Sequence, residues 1–71
     1  PVSDALETLI KRIEDELGAP LPDLDRSGKQ TAIRLLDERG AFQLRRSIED
    51  VADLMGVSRI TIYNYLNAIR A

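Results

Sequence analysis

Five side chains between residues 59 and 67 have the types and the spacing needed to read the edges of nucleic-acid bases. Arg59 carries a planar guanidinium that matches the O6 and N7 acceptors of guanine. Asn64 carries an amide of the kind that bridges N6 and N7 of adenine, and Asn67 belongs to the same group of polar side chains. Ile60 offers a methyl contact to thymine, and Tyr63 offers a hydroxyl to phosphate or a ring for stacking. On a helix they share an outer stripe if the inner face consists of Ile62, Tyr65, Leu66 and Ile69.

Residues at the edges of this stripe suit contact with phosphate. Ser58 and the free amides at a helix start form an anion site, and Thr61 lies at the border of the stripe. Arg45 and Arg46 precede another helix start and can flank a phosphate there. The alternative for each residue is plain solvent exposure, although an exposed isoleucine and tyrosine favour a partner. The predicted DNA-binding set is Arg45, Arg46, Ser58, Arg59, Ile60, Thr61, Tyr63, Asn64 and Asn67.

Two short helical patterns joined at Gly56 are the elements that must position these side chains. The first is predicted over Ser47–Met55, with Ser47 as its N-cap and Asp50 completing a capping box. The second begins at Ser58 as its cap and runs to about residue 69. Ala52 is small enough for a close helix crossing, and Gly56, four residues later, can adopt positive φ. The pattern predicts a helix-turn-helix, and the alternative is an ordinary helical hairpin.

The remainder of the chain predicts two more helices. An amphipathic helix spans Ser3–Leu17, and Gly18 and Pro20 end it. Residues 19–26 are predicted to be an extended, proline-containing linker, which Leu21 and Leu24 can anchor on a hydrophobic surface. A helix follows over Ser27–Arg39, capped by Ser27 or Asp25. Residues 41–44 are predicted to be a short extended connector with Phe42 and Leu44 turned inward.

The expected fold class is therefore all-α: a small tri-helical helix-turn-helix bundle preceded by an additional amphipathic helix. We predict a boundary near residue 26, with residues 1–26 forming the helix and linker and residues 27–71 the DNA-binding domain. Three arrangements of the first helix stay open. Its apolar stripe can pack on the later helices, pair with a second copy, or continue a connector from a preceding domain.

Composition argues against several classes of function. The 71 residues include no cysteine and no histidine, so a thiolate metal site, a disulfide and a histidine base are excluded. Carboxylates occur singly on the helix patterns and no glycine-rich phosphate loop is present, so we expect neither an enzyme, nor catalytic residues, nor a metal or other cofactor. No apolar run approaches the roughly 20 residues of a membrane span. With no signal segment, we expect a cytoplasmic protein without a membrane partner.

Charge is distributed unevenly along the chain. Its net charge is −2, yet residues 1–25 alone hold two basic and seven acidic residues, a net −5. Residues 26–71 hold one lysine and seven arginines against five acidic residues, a net +3. The second part is modestly basic, which is a weak electrostatic sign of nucleic-acid binding.

Two segments resemble a known family. LLDERGAF at Leu35–Phe42 and VADLMGVSRITIYNYL at Val51–Leu66 resemble the C-terminal DNA-binding domain of the YheO-like bacterial transcriptional regulators. That family pairs an N-terminal PAS-like sensor with a C-terminal helix-turn-helix. The resemblance covers roughly residues 27–71. It implies a dimeric regulator whose recognition helix includes Arg59, Thr61, Tyr63 and Asn64. Any small-molecule ligand would bind the sensor, which is absent here, in keeping with a chain that begins at Pro1.

The leading hypothesis is sequence-specific binding of double-stranded DNA by the output domain of a transcriptional regulator, acting as a homodimer. Residues 58–69 would form the recognition helix in the major groove. The alternative is a protein–protein interaction module with a helix-turn-helix-like bundle. In that case the helix bearing Leu6, Leu9 and Ile13 would bind a protein partner.

Overall fold

The computed structural model describes residues 2–71 and confirms the all-α class within that range. Pro1 lies outside the described residues. The α-helices are α1 (Asp4–Leu17), α2 (Arg26–Glu38), α3 (Ser47–Met55) and α4 (Arg59–Arg70). Short 3-10 turns occupy Leu21–Asp23 and Ala41–Gln43. α2 lies centrally, with α1 and α4 both packed against it and α3 packed on α4.

α1 begins and ends as the sequence predicts. The Ser3 hydroxyl accepts a hydrogen bond from the Leu6 amide at 3.2 Å, and Gly18 ends the helix with φ of 83°. Leu6, Ile10 and Ile13 are buried in the same core as the residues of α2, α3 and α4. The sequence left three arrangements of this helix open, and in the structure α1 packs on the later helices of its own chain. The apolar stripe of α1 is therefore already occupied.

The segment between α1 and α2 is not the extended linker that its prolines suggested. Leu21–Asp23 forms a 3-10 turn, and the Leu21 side chain is fully buried. The Leu21 amide donates a hydrogen bond to the Glu14 carboxylate at 2.7 Å. Pro22 fits the turn because its fixed φ suits the first residues of a helical turn, where no amide partner is needed. Burial of Leu21 therefore determines the conformation of this segment, although its local composition favoured an extended chain.

α2 begins at Arg26, one residue before the predicted start, because Asp25 is the cap that is used. Its carboxylate accepts from the Gly28 amide at 2.7 Å. Ala32, Ile33 and Leu36 are fully buried and form the centre of the core.

Two arginine–carboxylate pairs tie α2 to its neighbours. Arg39 donates hydrogen bonds of 2.6 and 2.7 Å to Glu16 of α1, and this bonding lowers the pKa of the Glu16 carboxyl. Arg70 of α4 donates to Asp37, which raises the pKa of the arginine. Because the Glu16 pKa is lower in the folded chain, its contact stabilises the fold above the ordinary glutamate pKa. That contribution disappears as the pH falls through the lowered value.

Residues 41–43 form a 3-10 turn where an extended connector was predicted. Gly40 has φ of 81°, which reverses the chain after α2 and turns Ala41 into the core. Ala41 is fully buried, whereas Phe42 and Leu44 are half-buried at the edge. The turn packs against both α2 and α3, where a small side chain fits between two backbones.

The predicted capping box of α3 is wrong. Ser47 is the first residue of the helix, and the N-cap position belongs to Arg46, which forms no side-chain cap. Arg46 has φ of 61°, so the chain enters α3 from the left-handed region and not from the extended backbone of an ordinary N-cap. The Ser47 side chain is 1% exposed, and its hydroxyl has no hydrogen-bond partner within the described residues.

This difference gives opposite expectations for two serines. Ser47→Ala should leave the free energy of unfolding unchanged or raise it by about 1 kcal/mol, because it removes a buried, unbonded hydroxyl. Ser58→Ala should lower it by about 0.5–2 kcal/mol, because Ser58 does cap α4. Urea unfolding of both variants measures the two values. A destabilisation by Ser47→Ala as large as that by Ser58→Ala would restore the capping role of Ser47.

Candidate nucleic-acid interface

α3 and α4 meet through a tight turn at Gly56. This glycine has φ of 76°, in the left-handed region, and the following Val57 amide donates to the Ala52 carbonyl at 3.0 Å. Ala52 is buried where α3 packs on α4. The small residue and the glycine are therefore placed as the helix-turn-helix prediction requires.

The start of α4 is fixed by Ser58 and Thr61. The Ser58 hydroxyl accepts from the Thr61 amide at 3.1 Å and lies 3.1 Å from the Thr61 hydroxyl. Ser58 is exposed and Thr61 is half-buried. Both predicted site residues thus lie at the N-terminal end of α4, where the helix dipole favours an anion.

Burial divides α4 into the two predicted faces. Ile62 and Leu66 are buried, and Tyr65 and Ile69 are half-buried. Ile60 is 70% exposed and Tyr63 is 51% exposed, although both are large and apolar or aromatic. The exposed residues of the predicted stripe are Arg59, Ile60, Tyr63, Asn64 and Asn67. We call these five the recognition stripe; contact with DNA stays a prediction for each of them.

Arg45 and Arg46 are exposed in the turn before α3. Neither forms an ion pair within residues 2–71. Their charges therefore remain available for an external anion. The left-handed backbone of Arg46 fixes the direction in which the chain enters α3.

One edge of the recognition stripe carries an acidic neighbour that the sequence analysis did not single out. The Arg59 guanidinium lies 3.6 Å from the carboxylate of Glu49, in the first turn of α3. The two residues are ten positions apart, so helical periodicity within α4 gives no sign of the contact. Only the crossing of α3 and α4 brings them together.

The other edge carries Arg26 and Gln30, which were also missed. They line an open polar groove of about 340 Å³ between α2 and α4, together with Thr61, Asn64, Tyr65 and Ala68. The sequence analysis had placed Arg26 in the linker. A signal was present in Asp25, which can start the helix at Arg26. The side of α2 that meets α4 could not be read from the pattern.

The packing of α2, α3 and α4 defines a helix-turn-helix domain. The family model described as an HTH domain matches residues 5–67, so the chain belongs to this family. A helix-turn-helix domain indicates DNA binding. No curated protein matches the chain, and no solved structure does. Across the part of the chain that the structure describes, no helix has both the length and the apolar character needed to cross a membrane.

Proposed function

We propose that the chain binds double-stranded DNA in a sequence-specific manner, as the output domain of a bacterial transcriptional regulator of the YheO-like type. The observation that carries the proposal is the recognition stripe. It places an arginine, two asparagines and two large exposed side chains on the helix that follows the turn. These groups suit base edges, and the packing of the domain does not use them.

In this proposal α4 lies in the major groove with the stripe against the bases. Arg59 forms one edge of the stripe, beside Glu49 in the first turn of α3, and the exposed pair Arg45 and Arg46 precedes that helix in the chain. Arg26 lies beyond the other edge. An arginine would therefore lie near each of the two DNA strands that border the major groove. The Ser58 hydroxyl and the free amides at the start of α4 would donate hydrogen bonds to a further phosphate.

Two copies are proposed to bind a near-palindromic site with their recognition helices about 34 Å apart. A net charge of −2 limits the electrostatic affinity of one copy, so a second copy supplies the missing affinity. Leu6, Ile10 and Ile13 of α1 are buried in the core, so we propose that the contact between copies uses another surface. We further propose that the protein is cytoplasmic and is not an enzyme, and that ligand sensing belongs to a separate domain.

Selection of bound duplexes from a random pool, followed by competition binding, tests the proposal. The expected result is an enriched motif with two related half-sites, bound with a stoichiometry of two chains. Equal binding to enriched and unrelated duplexes would refute sequence-specific recognition. An enriched motif bound by one chain would refute the dimer alone.

The alternative function, a protein-interaction module, relied on Leu6, Leu9 and Ile13 of α1. Leu6 and Ile13 are buried in the core and Leu9 is half-buried, so this face is not free for a partner. DNA binding is the function that the exposed side chains favour.

Replacing Arg45 and Arg46 together by alanine should weaken binding to all duplexes alike. The pair flanks one phosphate in each copy, so its removal should flatten the slope of log affinity against log salt by about 0.9 per bound chain, or about 1.8 for two copies. Binding measured at several salt concentrations gives this slope. The matched control is the Lys11→Ala/Arg12→Ala pair on the exposed face of α1, which removes the same charge and should leave the slope unchanged. Equal slopes for wild type and the Arg45/Arg46 variant would exclude these residues as phosphate contacts.

A further inference from the structure

Arg59 lies farther from its carboxylate partner than the other paired arginines lie from theirs. Arg34, Arg39 and Arg70 are hydrogen-bonded to their partners at 2.6–3.1 Å. The Arg59–Glu49 distance of 3.6 Å exceeds that range, and Arg59 stays 66% exposed while Glu49 is 38% exposed. The guanidinium donors of Arg59 therefore remain free for a ligand, while the negative charge of Glu49 stays beside them.

Such a neighbour affects two kinds of DNA contact differently. A backbone phosphate brought to Arg59 carries a full negative charge, and Glu49 repels it at close range. A guanine edge offers neutral acceptors, which Arg59 can approach without this repulsion. Because non-specific binding is almost entirely electrostatic, a carboxylate beside an exposed arginine weakens it more than it weakens base reading.

We propose that Glu49 is a specificity-determining residue, whose negative charge disfavours backbone phosphate beside Arg59 in unrelated sequences and leaves base edges as the preferred contact of that arginine. This inference rests on the proposed function and deepens it. Glu49 acts through Arg59 and is a positioning residue. The negative charge of Glu49 lowers the affinity for DNA in general and raises the ratio of specific to non-specific affinity.

The test compares Glu49→Gln with wild type on the enriched duplex and on an unrelated duplex of equal length. Glu49→Gln should raise affinity for the unrelated duplex roughly threefold, the factor that two like unit charges about 6 Å apart exert in water. A phosphate bound to Arg59 lies farther from Glu49 than the 3.6 Å that separates the two side chains. Affinity for the enriched duplex should rise less, so the specificity ratio falls. In the Arg59→Ala background the same change should leave the ratio unaltered, because the residue through which Glu49 acts is missing.

Asp53→Asn is the matched control, since it removes the same charge one helical turn later on α3. Asp53 is exposed and forms no ion pair within residues 2–71, so its replacement should leave the ratio unchanged. If Asp53→Asn lowers the ratio of specific to non-specific affinity as much as Glu49→Gln does, the role of Glu49 is overturned. The same holds if Glu49→Gln leaves that ratio unchanged. Either result leaves the proposed function standing. Failure of wild type to prefer any duplex would overturn the proposed function, and this inference with it.

Discussion

Ile62→Ala is expected to lower the free energy of unfolding by about 2–5 kcal/mol, the range for truncating a buried isoleucine. Ile62 is 0% exposed and lies on the face of α4 that closes the core. Truncation of its side chain removes apolar packing and leaves a cavity between helices that cannot fully collapse. In a domain of this size such a change is a large part of the total stability.

The matched control is the same substitution two residues earlier. Ile60 is 70% exposed, so Ile60→Ala should change the free energy of unfolding by no more than about 0.5 kcal/mol. It should instead weaken DNA binding, because Ile60 belongs to the recognition stripe. Urea unfolding and competition binding of both variants measure the contrast. Equal destabilisation by the two variants would contradict the division of α4 into an inner and an outer face.

Asn64→Ala is expected to cost about 1–3 kcal/mol of binding to the enriched duplex and to relax discrimination at one base pair. Asn64 is exposed near the middle of α4 and lies beside the groove lined by Arg26 and Gln30. An amide in this place can bridge adenine N6 and N7, and alanine can form neither bond. The effect should be confined to the position that the amide reads.

Repeating the random-pool selection with Asn64→Ala measures this change. Asn67→Ala is the comparison, since Asn67 lies almost one turn farther along α4 and should relax a different base pair. If the selected motif of Asn64→Ala matches that of wild type at every position, Asn64 does not read a base. If both variants relax the same position, the proposed orientation of α4 in the groove is wrong.

Local rules predicted the helix ends well wherever one residue decides the geometry. Ser3 and Ser58 cap their helices through their own side chains. Gly18 and Gly56 adopt positive φ after α1 and α3. The two faces of α4 followed from spacing alone. These features depend on residues a few positions apart, and that information is present in a short window of sequence.

Two of the three wrong predictions have a different cause, which is packing between distant segments. Leu21 anchors its segment on the core as predicted, but residues 21–23 form a 3-10 turn where the prolines favoured an extended chain. Phe42 and Leu44 pack against the core as predicted, but residues 41–43 form a 3-10 turn in which Ala41 is the fully buried residue. Ser47 does not act as the expected cap because the chain enters α3 through a left-handed residue. The first two outcomes depend on which helix lies opposite, which no local pattern records. The third depends on the left-handed backbone of Arg46.

The same distinction between local pattern and long-range packing applies to the candidate site. The residues within α4 could be identified from the sequence because one helix presents them together. Glu49 and Arg26 could not, because they belong to α3 and α2 and reach the stripe through helix crossings. The recognition stripe could therefore be predicted from the sequence, whereas the residues that border it, Glu49 and Arg26, were found only in the structure.

The left-handed backbone of Arg46 implies a compromise between folding and binding at a single residue. A non-glycine residue at φ of 61° carries backbone strain that glycine would avoid. Glycine would therefore suit the turn better, but it would remove one of the two exposed positive charges next to α3. Selecting variants for thermal stability alone should favour glycine at position 46 and should yield proteins that hold DNA less tightly.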